Sequence, residues 1–123
     1  MNICVTAEGK DLSASIDPRF GRCKYFMFVD TENLHFEVID NPSLSSTGGA
    51  GIQSGQLMIA KKVKAVLTGN VGPNAHQVLS AAGIEVLTGV SGTIKEAIEN
   101  YKLGKYKPAT SPSVGSKFGM PDK

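Results

Sequence analysis

Apolar residues first recur with the two-residue period of strands, then with the three-to-four-residue period of helices. Asn2–Thr6 reads as a strand with Ile3 and Val5 on one face. Lys24–Asp30 sets Tyr25, Met27 and Val29 against Phe26 and Phe28, so both faces of that strand are expected to be buried. Leu34–Asp40, after the short turn Thr31-Glu32-Asn33, reads as its hairpin partner, with Phe36 and Val38 on one face. A helix is predicted from Ala50 to Lys62, its inner face formed by Ile52, Gly55 and Ile59 with Met58 alongside. Val63–Thr68 is a short apolar strand. Pro73 suits a first helical turn, and Ala75, Val78, Leu79 and Ala82 repeat at i, i+3, i+4, i+7 before the stop at Gly83. Ile84–Leu87 is another strand. Thr93 and Glu96 form a capping-box pattern ahead of a helix whose stripe is Ile94, Ala97, Ile98 and Tyr101.

The predicted order is β-β-β-α-β-α-β-α. A hairpin followed by strand–helix alternation implies an α/β domain, with a mixed sheet covered by helices on its faces. After Leu103 the apolar periodicity stops and Gly, Lys, Pro and Ser take over. The expected organisation is one domain over residues 1–104 and a disordered tail over 105–123.

Composition narrows the function classes. A chain of 123 residues, 41% hydrophobic and 20% charged, is ordinary for a globular domain. A formal charge of +2 gives no electrostatic case for nucleic acid. No apolar run is long enough to span a membrane, and the first residues lack a signal-peptide layout, so a cytoplasmic location is expected. Cys4 and Cys23 are the only cysteines, with no CxxC pairing. Reduced thiols are expected, and two fall short of the four that usually hold an iron–sulfur cluster in one chain.

The candidate chemistry lies in three irregular segments. Gly48-Gly49-Ala50-Gly51-Ile52-Gln53 and Gly69-Asn70-Val71-Gly72-Pro73-Asn74-Ala75-His76 each open onto a helix. A helix N-terminus presents unpaired N–H groups and the positive end of its dipole, and glycine lets a ligand approach that backbone. The first turn is neither a P-loop nor a dinucleotide fingerprint. The third segment, Asp17–Cys23, carries Arg19 and Arg22, whose guanidinium forks suit anions. In open α/β sheets such connections meet beyond the carboxyl ends of the strands, so all three segments are expected at one cleft. Cys23, beside Arg22 and Lys24, is read as the more accessible thiol and Cys4 as the protected one. Cys23 and His76 are candidate metal ligands, each with a plain structural alternative: a small core thiol and a half-buried helix residue. Arg19, Arg22, Gly48, Gly49, Gly51, Asn70, Gly72 and Asn74 are the candidate ligand-binding residues. No nucleophile–base–orienter set is present, so no catalysis is expected.

These motifs resemble the dinitrogenase iron–molybdenum cofactor biosynthesis family, the NifX-like and NifB-C-terminal-like proteins that include the orange protein. The resemblance covers about Asn2 to Gly104. It rests on Ile16-Asp17-Pro18-Arg19-Phe20-Gly21-Arg22-Cys23 with Tyr25-Phe26, on Glu37–Pro42 leading to Gly48–Gln53, and on Gly69–Ala75 with Ala82-Gly83-Ile84. It implies a ribonuclease-H-like three-layer fold and a carrier role for an iron–sulfur-based or molybdenum-containing cluster or its precursor, with donor and recipient proteins as partners. A small-anion or nucleotide-binding regulatory module using the same glycine turns is the alternative.

Overall fold

A computed structural model of the chain describes residues 1–42, 49–109 and 112. The elements are β1 (Asn2–Ala7), β2 (Tyr25–Asp30), β3 (Phe36–Asp40), α1 (Ala50–Ala60), β4 (Ala65–Leu67), α2 (Pro73–Ala81), β5 (Glu85–Leu87) and α3 (Ile94–Lys102). The strands form one mixed sheet in the order β3-β2-β1-β4-β5. β1 pairs antiparallel with β2, and β2 with β3; β1 with β4 and β4 with β5 are parallel.

Each face of the sheet has its own core. Ile3, Val5, Met27, Val29, Ala65 and Leu67 pack against Ile94, Ala97 and Ile98 of α3. Cys4, Phe26, Phe28 and Val66 pack with Met58 of α1 and with Ala75 and Leu79 of α2. Helices therefore cover both faces in three layers. The central strands are buried on both sides, as the unbroken apolar run of β2 requires.

The helix start signals hold where they are local. Gly72 is the N-cap of α2 with Pro73 in its first turn, and Thr93 and Glu96 close a reciprocal capping box on α3. The inner face of α1 keeps Gly55 and Met58 of the predicted one but not its two isoleucines. Ala50, Ser54, Gly55 and Met58 are buried, whereas Ile52 and Ile59 are 40% and 44% exposed. The cause is glycine packing. A methyl group at Gly55 would lie 2.7 Å from Val78 Cγ1, and one at Gly51 would lie 3.3 Å from Ala75 Cβ. α1 turns its glycines toward α2 so that the two helices cross closely, which carries the isoleucines outward.

Of the expected tail, residues 105–109 pack back on the domain, and 110–111 and 113–123 lie outside the described residues. Lys105 N–H donates to Asn100 O, Pro108 bridges Leu87, and Ala109 N–H donates to Val86 O. β5 would otherwise be an edge strand with unpaired backbone groups, and this segment covers part of it.

Candidate functional site

The loop after β1, the turn after β4 and the start of α1 meet at the carboxyl ends of the parallel strands. The contacts are backbone-close. Arg19 pairs with Asn70 in a parallel bridge, and Phe20 N–H donates to Asn70 O at 3.2 Å. Asn70 Nδ2 donates to Pro18 O at 3.3 Å. A methyl group at Gly69 would lie 2.8 Å from Pro18 Cα, and one at Gly21 would lie 3.4 Å from Gly51 Cα. The structure thus brings Arg19, Asn70, Gly51, Gly72 and Asn74 to one edge. Gly49 stands there as the N-cap of α1, at φ +74°. Gly48 lies outside the described residues.

Two buried polar side chains shape the arginine loop. Asp17, 1% exposed, accepts from Arg19 N–H at 3.1 Å and Arg19 Nε at 3.4 Å through Oδ1, and from Lys24 N–H at 3.2 Å through Oδ2. Asp17 O in turn accepts from the Thr6 hydroxyl at 2.6 Å, and Thr68 Oγ1 lies 2.8 Å from the same hydroxyl. Asn41, from beyond β3, donates through Nδ2 to Gly21 O at 3.0 Å and Cys23 O at 2.9 Å. Sequence reasoning missed Asn41, because its partners lie 20 and 18 residues back in the chain. The ion pair between Arg19 and the buried Asp17 leaves the Arg19 side chain 37% exposed.

The expectation for Cys23 is corrected. Cys4 and Cys23 are both fully buried, in the core beneath α1 and α2. Burial pushes the Cys23 thiol well above its ordinary value, and the Asp17 carboxylate pushes it further. Burial, then proximity to Cys23, raises Cys4 in the same direction. The positive neighbours Arg22 and Lys24 do not decide the matter, because desolvation of a thiolate outweighs them. His76 is half-buried, its Nε2 3.3 Å from Ala109 O. Among the described residues no group of three or more His, Cys, Asp or Glu is placed to hold a metal ion.

Electrostatically the edge is suited to negative charge. The first turns of α1 and α2 contain no acidic residue, whereas α3 has Glu96 there. First-turn N–H groups have no partner within their helix, and the dipole adds positive potential. The Arg19 loop packs against both helix starts, at Asn70 just ahead of α2 and at Gly51 in α1, while the Arg19 guanidinium meets the Asp17 carboxylate.

The model of the family described as dinitrogenase iron-molybdenum cofactor matches residues 1–104. The chain belongs to this family. It is 34% identical over 93 residues to a Methanocaldococcus jannaschii protein whose own role is uncharacterised, covering 73% of this chain and 79% of the relative. Its fold is similar to the apo form of the orange protein from Desulfovibrio gigas, with a TM-score of 0.88 and 37% identity over 92% of this chain and 96% of that one. It is also similar to a NifB-like protein from Thermotoga, with a TM-score of 0.79 and 34% identity over 92% and 97% of the two chains. No helix among the described residues is long and apolar enough to cross a membrane.

Proposed function

We infer that this protein is a non-enzymatic accessory protein that binds an anionic metal cluster, iron–sulfur-based or molybdenum-containing, and passes it or its precursor from a donor to a recipient protein. The observation that carries this reading is the juxtaposition of two acid-free helix N-termini around one arginine-bearing loop. Family membership supplies the class of cargo.

The residues present fit such a cargo in one way and not another. A cluster ligated by protein thiolates and imidazoles does not fit, because both thiols are buried and raised and no three-residue metal group is placed among the described residues. A cluster that brings its own sulfur ligands, and so presents negative charge outward, fits the N–H and guanidinium donors. Holding it by hydrogen bonds and charge also suits a carrier, since no metal–protein bond need break on release. The same donors suit a phosphate group, which keeps the anion-binding regulatory module as the second reading.

The test is anaerobic loading with iron, molybdate and sulfide, followed by metal content and visible absorbance. Arg19→Gln should weaken loading by about ten-fold, the value of one charge-assisted hydrogen bond of roughly 1.5 kcal/mol. Cys23→Ser, if it folds, and His76→Ala should load like the parent. A colourless, metal-free protein that binds a phosphate compound at this edge would replace the carrier reading with the regulatory one.

A further inference from the structure

A second concave site lies away from the edge just described. It sits near the amino-terminal ends of β1 and β5 and has a volume of about 430 Å³, within the size range of small-molecule pockets. Two tyrosines contribute to its wall. Tyr101 comes from the last turn of α3, and Tyr106 from the segment that returns along β5. Both are partly buried against the α3-side core. Pro108 is exposed and supplies apolar surface, and its backbone bridges that of the buried Leu87. Tyr106 is fixed by Asn100 Nδ2, which donates to its hydroxyl at 3.4 Å. Tyr106 and Pro108 lie past residue 104, where the family match ends, so the matched core does not account for this cavity.

The Glu85 side of its wall is negative. Glu85 is an exposed carboxylate on the wall, and its field reaches Tyr101, whose phenol burial and Glu85 together push upward. The C-terminus of α3 brings the negative end of its dipole to the rim at Gly104. Aromatic faces add further attraction for a cation. Against these stands Lys102, an exposed residue of the same wall. The Met1 ammonium is already balanced by Asp30 at 3.8 Å and Glu32 at 3.7 Å.

We propose that the cavity bounded by Tyr101, Tyr106, Glu85 and Pro108 binds a small organic cation, an ammonium or guanidinium group carried on a short apolar body. The apolar body packs on Pro108, and the charged head faces Glu85 and the tyrosine rings.

The experiment is an NMR titration of the full chain with phenethylammonium, using phenylacetate as the charge-inverted control. Phenethylammonium should shift the Leu87, Tyr101 and Tyr106 signals saturably, and phenylacetate should not. Glu85→Gln should weaken binding about three- to five-fold, and Lys102→Met should strengthen it by about two-fold, as expected for exposed charge pairs. Both positions are exposed, so these variants change charge without disturbing the core. Tyr106→Leu keeps apolar bulk and removes a ring face, and should weaken the cation about three-fold. Absence of a saturable shift with phenethylammonium, equal binding of phenylacetate, or an unchanged affinity in Glu85→Gln would overturn the proposal.

Discussion

Gly69→Ala should loosen the candidate site from its centre. Gly69 lies two residues past β4 and touches the arginine loop through backbone. An added methyl would meet Pro18 Cα at 2.8 Å, Pro18 Cβ at 2.9 Å and Pro18 O at 3.0 Å. None of these atoms belongs to a flexible side-chain end, so relief requires the two loops to separate. Separation stretches two hydrogen bonds that already stand at 3.2 Å (Phe20 N–H to Asn70 O) and 3.3 Å (Asn70 Nδ2 to Pro18 O). Overpacking of this kind costs about 1–3 kcal/mol, and each weakened hydrogen bond adds up to about 1 kcal/mol. Reduced freedom of the unfolded chain returns about 0.4–1 kcal/mol. The expected net loss is about 2 kcal/mol. Urea unfolding should show it as a lower midpoint with an unchanged slope. Amide shifts should be concentrated at residues 18–21 and 69–71. Gly83→Ala is the comparison. Gly83 has open space around its Cβ position but φ +77°, so its cost is conformational and its spectral changes should stay local. A Gly69→Ala protein within about 0.5 kcal/mol of the parent, with parent-like shifts in the Pro18–Gly21 loop, would refute the claim that this backbone approach fixes the loop.

Two further outcomes follow from buried groups. Asn41→Ala removes the donor from two carbonyls, Gly21 O and Cys23 O, and should cost about 2–3 kcal/mol, lowering Tm by roughly 10 °C or more in a thermal melt; a shift of under about 2 °C would show that water replaces the amide. Both thiols are raised by burial, so the folded state keeps protons that the unfolded state releases above about pH 9. Their contribution is fully present below that pH and falls as pH rises, by about 1.4 kcal/mol per cysteine per pH unit. Urea midpoints measured from pH 8 to pH 10.5 should therefore fall more steeply for the parent than for Cys4→Ala/Cys23→Ala, and parallel pH profiles would contradict the burial of the thiols.

What was legible in the chain was what neighbours in sequence decide. The alternation of Met27 and Val29 against Phe26 and Phe28 required a strand buried on both faces, and β2 is one. The spacing of Ile94, Ala97 and Ile98 behind a Thr93–Glu96 capping box placed α3 and its buried stripe. The glycine turns could be put at the carboxyl edge because strand–helix alternation fixes where such turns fall. The illegible parts are contacts between distant segments. The periodicity of α1 offers Ile52 and Ile59 as a core stripe, but Gly51 and Gly55 meet Ala75 and Val78 of another helix, and close helix crossing overrides the period. Arg22 and Lys24 beside Cys23 are visible in sequence, whereas the core that desolvates its thiol is assembled from β1, β2, α1 and α2. Lys105–Ala109 has the composition of a tail, yet the unpaired edge of β5 gives its backbone a partner.

The three helices among the described residues solve the same end problem differently, and the difference bears on function. α3 satisfies its own N-terminus: the Thr93 hydroxyl accepts from Glu96 N–H at 3.2 Å, Glu96 Oε1 accepts from Thr93 N–H at 3.0 Å, and the Glu96 charge meets the dipole. α1 and α2 begin at Gly49 and Gly72, which have no side chain to cap with, and carry no acid in their first turns. A need for stability alone would favour Ser, Asp or Asn at both N-caps, by about 1 kcal/mol each over most residues but by only a few tenths over glycine. Glycine at these positions therefore costs little and keeps the backbone approachable. The close Gly51–Ala75 and Gly55–Val78 crossings then bring those two helix starts near one another, with the Arg19 loop docked between them. Internal capping at α3, which lies on the opposite face of the sheet, shows that the chain has the means to close a helix end. The two ends it does not close in this way are the two that share an arginine-bearing loop.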